Sequence, residues 1–132
     1  MRALVRLFAF LSVLGSACTG DRGVNADALE AKAVVVVRDI FGGRYAEVRA
    51  EFDHTMLAAL DEQQLVKARA DYEDRFGTFE QMGPPEIVRR GDLTVINVPL
   101  RMSLGNGQAR VTYDRDGKIA GLYLLRVGVP VP

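Results

Sequence analysis

One histidine, one cysteine and four tyrosines set the chemical repertoire of this 132-residue chain. The histidine follows a carboxylate, as Asp53 and His54. A carboxylate or imidazole base, with a tyrosine donor such as Tyr45, Tyr72, Tyr113 or Tyr123, is the minimal equipment for proton transfer in a lyase or isomerase. Neighbours in sequence do not face each other on a helix, however. Asp53 also has the position of a helix N-cap, which spends its carboxylate on backbone N–H groups and leaves His54 in an exposed first turn. Catalysis by Asp53, His54 and Tyr45 is therefore the alternative reading, and no catalytic residue is assigned.

Other chemistries are excluded outright. A single cysteine forms no intrachain disulfide framework and no thiolate zinc cage, and a single histidine cannot build the usual multi-imidazole metal sites, so no metal or cofactor is expected. There is no GxSxG, P-loop or HExxH motif, and the GxG from Gly105 to Gly107 falls in a hairpin turn. Asp114, Asp116 and Gly117 lack the ligand ladder and terminal Glu of a calcium loop and fit a hairpin turn. Lys and Arg total 17 against 17 Asp and Glu, which leaves no electrostatic footprint for nucleic acid. At 48% apolar residues the chain is too hydrophobic to be disordered.

The cysteine points elsewhere. Arg2 and Arg6 flank the start of an apolar run over residues 7–14 (LFAFLSVL), followed by Gly15, Ser16 and Ala17. This is the layout of a signal peptide, and it is too short to remain as a span, which needs about 20 apolar residues. Cys18 follows directly, and LGSAC resembles a bacterial lipobox, although the preferred Leu three positions before the Cys is here Gly15. Acylation of Cys18 would anchor the protein to a membrane through lipid. Ordinary cleavage after Ala17 would instead release a soluble secreted or periplasmic protein. Residues 1–17 are thus expected to be a signal peptide, residues 18–26 a flexible tether, and residues 27–129 one folded domain.

Periodicity organises that domain. Asp27 and Glu30 have capping-box spacing before Leu29, Ala33, Val36, Val37, Ile40 and Phe41, a helical stripe that Gly42 and Gly43 end. Residues 44–52 form a second short helix, Asp53 starts a further turn with Met56, Leu57 and Leu60, and Asp61 with Gln64 caps a helix ending at Gly77. After Gly77 the period becomes two. A first strand region is interrupted at Pro84 and Pro85, and three strands follow over residues 93–104, 108–113 and 118–127. Short turns make them an antiparallel meander. In the last strand Leu122 and Leu124 point one way while Ile119, Tyr123, Leu125 and Val127 point the other, so both sheet faces want cover. The helices cover one, and a second copy of the chain or a partner is expected on the other.

The expected class is α+β, with N-terminal helices on a curved four-stranded antiparallel sheet, as in the NTF2-like or cystatin-like cone. More specifically, Phe41, Gly43, Tyr45, Val48, Phe52, Asp53, Met56, Ala59, Leu60, Leu65 and Gly77, with Tyr113, Asp114, Gly117, Lys118, Ile119, Gly121 and Leu122, resemble the bacterial family called domain of unknown function 3887 over roughly residues 28–126. The resemblance implies an exported cone-fold protein and no catalytic residue. Two functions are left: a non-enzymatic envelope module whose cavity, lined by Val37, Phe41, Tyr45 and Leu100, holds a small apolar ligand or seats a partner, or a small cone-type lyase or isomerase.

Overall fold

Asn25 caps the first helix: its side chain accepts a hydrogen bond from the Asp27 N–H at 3.1 Å, so the helix starts one residue before the Asp27 expected as its cap. The computed structural model describes residues 25–131; the proposed signal peptide, Cys18 and nearly all of the tether lie outside the described residues. Helix α1 (Ala26–Phe41) buries Leu29, Ala33, Val36, Val37, Ile40 and Phe41, the stripe expected from its spacing. It ends at Gly42, and Gly43 takes a φ of 75°, a conformation open to glycine at little cost. Helices α2 (Tyr45–Ala50), α3 (His54–Ala59) and α4 (Glu62–Phe76) follow. In α4 the Asp61 and Gln64 side chains and backbones exchange hydrogen bonds of 2.8 Å, a complete capping box.

The described residues form four helices and one antiparallel sheet of five strands: β1 (Phe79–Met82), β2 (Glu86–Arg90), β3 (Leu93–Met102), β4 (Gly105–Tyr113) and β5 (Ile119–Arg126). The expected class, α+β, stands, but the count of four strands is corrected to five. The region before β3 is divided at Pro84 and Pro85, which have no N–H to give the ladder, so β1 and β2 lie in succession along one edge of β3. On the other edge β3 pairs with β4 and β4 with β5. Ile96, Val98, Leu100, Met102, Ala109, Val111 and Tyr113 meet the buried helical stripe in one core.

A bulge changes which face one residue serves. Thr112 pairs with Gly121 while Tyr113 pairs with Ile119, which leaves Ala120 as an extra residue in β5. Ile119 consequently joins the core at 0% exposure, not the face of Tyr123 and Leu125 that strict alternation assigned to it. The same end of β5 ties down the short helices. Ile119 donates its N–H to the Glu51 carbonyl at 2.7 Å and accepts from the Asp53 N–H at 2.9 Å. Phe52 leaves the expected second helix to form this bridge.

Helix α4 is pinned across the sheet by Tyr72, whose hydroxyl donates to the Leu125 carbonyl at 2.9 Å. The ring tip crosses directly above Gly107, where a Cβ would overlap the hydroxyl oxygen. Gly107→Ala is therefore expected to destabilise the protein by about 2 kcal/mol or more, against about 1 kcal/mol for Tyr72→Phe. In denaturant unfolding, combining Tyr72→Phe with Gly107→Ala should recover part of the glycine variant's loss, because the overlapping atom is then gone.

Candidate functional site

The residues expected to do proton chemistry are not assembled. Asp53 is the N-cap of α3, its Oδ1 accepting the Met56 N–H at 2.8 Å. His54 is the first residue of that helix and is exposed. Tyr45, half-buried on α2, has its hydroxyl 3.5 Å from Arg69 Nη1, while Arg69 Nε donates to Glu73 at 2.7 Å. No hydrogen bond joins Tyr45 to Asp53 or His54 among the described residues. Val37, Phe41 and Leu100 are packed side chains of the core, with Tyr45 set against them. Phe41 stacks on Phe79 at a centroid distance of 4.6 Å.

Tyr113 is the polar exception inside that core. It is fully buried, and its hydroxyl has no hydrogen-bond partner among the described residues. Burial, reinforced by the negative charge of Glu51, pushes its ionisation far above the usual tyrosine value. Its phenol therefore keeps its proton at neutral pH.

The opposite face of the sheet has a different character. Asn97, Arg110 and Tyr123 stand side by side on β3, β4 and β5, next to the row Val95, Thr112 and Gly121. Tyr123 is 54% exposed, yet Arg110 beside it is only 5% exposed. The cover comes from the chain itself, because residues 127–131 fold back over β4. Arg110 Nη2 donates to the Val129 carbonyl at 2.6 Å, Nη1 to the Pro130 carbonyl at 2.9 Å and Nε to Asn97 Oδ1 at 3.1 Å. Gln108 accepts from Asn97 Nδ2 at 2.9 Å and donates to the Arg126 and Val129 carbonyls at 3.1 and 3.2 Å.

Between this strap and the sheet lies a groove of about 470 Å³, with Leu93, Val95, Tyr123, Leu125 and Pro130 in its walls and Arg90, Arg110 and Thr112 as polar groups. Its size is within the range of small-molecule sites, roughly 300–1,000 Å³, and apolar walls with few polar groups are their usual composition. Among the described residues no group of three or more His, Cys, Asp and Glu side chains is placed to hold a metal ion. None of the helices among them is long and apolar enough to cross a membrane.

The family model described as "Protein of unknown function (DUF3887)" matches residues 33–122. The chain belongs to this family. No curated protein and no solved structure matches it. The DUF3887 match runs from within α1 into β5 and so takes in Arg110 and Thr112, while Tyr123, Leu125 and the strap lie beyond it. Sequence reasoning missed Arg110. Alternation with the core residues Ala109 and Val111 gave its face in β4 but not its burial, which comes from the strap.

The buried tyrosine gives a test of this geometry. Tyr113→Phe removes an unsatisfied hydroxyl, so stability at neutral pH should stay level or rise by about 1 kcal/mol. The folded state holds the Tyr113 and Tyr72 protons more tightly than the unfolded chain does, in both cases chiefly through burial. Their stabilisation is complete below about pH 10 and is lost as pH rises above it, and Tyr113→Phe should flatten that loss in denaturant titrations between neutral and strongly alkaline pH.

Proposed function

We propose that this DUF3887 protein is an exported, non-enzymatic module of the bacterial envelope that binds a small apolar ligand on an NTF2-like, cystatin-like scaffold. Export rests on the segment from Arg2 to Ala17, and membrane attachment on Cys18 as the acylated residue. The observation that carries the binding reading is the groove under the C-terminal strap, a roomy apolar site bordered by only a few polar side chains. The enzyme reading has no comparable support. The carboxylate of Asp53 is committed to a helix cap and His54 stands on the surface.

Native mass spectrometry of the protein gently extracted from its host should show an added small-molecule mass. That mass should disappear from Leu125→Trp, in which the indole fills the groove. A wild-type spectrum of bare protein only, matching that of the variant, would contradict the reading. The same spectra report the N-terminus, where a lipid-modified Cys18 is the expected product and a free chain beginning at residue 18 would assign ordinary cleavage after Ala17.

A further inference from the structure

Arg110 is the feature that the binding reading leaves unexplained. A guanidinium at 5% exposure is costly to desolvate, and a buried cation is ordinarily matched by a carboxylate. Arg110 has none: its partners are two backbone carbonyls and one side-chain amide oxygen, and no acidic side chain pairs with it among the described residues. Those three bonds engage three of the five N–H donors of a guanidinium. The two that remain belong to a group lining the groove, beside the Thr112 hydroxyl.

We infer that the groove takes an amphiphile with a single carboxylate and an aliphatic chain, of the fatty-acid class, and that Arg110 reads the acid. The inference rests on the binding reading and adds to it the chemistry of the ligand. The carboxylate supplies the missing counter-charge and accepts from the free N–H donors, with Thr112 able to donate a further hydrogen bond. The chain lies along Val95, Tyr123 and Leu125 under Pro130, where it is removed from water. Charge complementarity selects this occupant over a neutral lipid. Arg110 donates to carbonyls of the strap with the same nitrogens, so the strap is positioned to close over the acid end of the ligand.

The test uses dodecanoate and dodecanol, matched in chain length, added below their aggregation limits to the delipidated full-length protein and followed by calorimetry and by changes in NMR shifts of β4 and β5. Dodecanoate should bind, displacing Thr112, Tyr123 and Leu125 signals, and dodecanol should bind about tenfold more weakly or worse. Arg110→Gln should cut that difference severalfold while leaving dodecanol binding, Arg110→Lys should keep part of it, and Arg90→Gln, in the same groove wall, should lower it less than Arg110→Gln does; a larger effect from Arg90→Gln would overturn the assignment of the acid to Arg110. Circular dichroism and unfolding of each variant confirm that it is folded. Should either Arg110 variant fail to fold, the dodecanoate-to-dodecanol ratio on the wild-type protein decides alone.

Equal binding of acid and alcohol would overturn the assignment of the acid to Arg110 and leave the apolar-ligand reading intact. Binding of neither would overturn both. Light scattering should show a monomer. A dimer through this face that dodecanoate does not dissociate would give the groove to a second copy of the chain and would also overturn the inference.

Discussion

A guanidinium held under the chain's own C-terminal segment organises the side of this protein that the helices do not cover. Arg110 donates to Val129 and Pro130 and to Asn97, and Asn97 is in turn bonded to Gln108, which returns to the strap at Arg126 and Val129. This network satisfies the polar side chains of Asn97, Gln108 and Arg110 on a face that the helices leave open. It also sets the height of the strap above β4 and β5, and hence the groove. Backbone dipoles solvate the cation without neutralising it, so the arrangement is polar-satisfied but still charge-imbalanced.

The core on the other face has an independent logic. The stripe of α1 and the alternating residues of β3 and β4 would close a hydrophobic interior whatever lay behind the sheet. Local signals of this kind were legible in the sequence, because each depends on residues a few positions apart. The Asp61–Gln64 box, the stop at Gly77 and the alternation of Ile96, Val98 and Leu100 are examples. Where local signals compete, tertiary structure decides. Phe52 is drawn out of a helical continuation by its bridge to Ile119, whereas the choice of Asn25 over Asp27 as the first cap is itself local. The turn of Ile119 into the core was hidden for a similar reason. Gly121 marks the region as irregular, but only pairing with Thr112 and Tyr113 shows that the extra residue is Ala120.

The candidate site was less legible than the fold. Reasoning from side-chain chemistry correctly leads to Asp53 as a cap and His54 at the surface, but it cannot distinguish a cavity wall from a packed core position such as Val37 or Leu100. Arg110 shows the limit most clearly. An arginine alternating with Ala109 and Val111 has the pattern of a solvated outer face, and its burial depends on residues 129 and 130, about twenty positions downstream. No local periodicity encodes a strap returning over a strand.

Arg110 positions the strap, but its charge is kept for what it binds and not for global stability. The most direct test is equilibrium unfolding of the delipidated Arg110→Met protein, in which a side chain of similar reach removes the charge. Exchange of a buried charge for a packed apolar group is often neutral or stabilising, and the strap carbonyls can turn to water, so a stability within about 1 kcal/mol of wild type, or above it, is expected. A loss of several kcal/mol would show that the buried charge is kept for the stability of the fold and would contradict that claim.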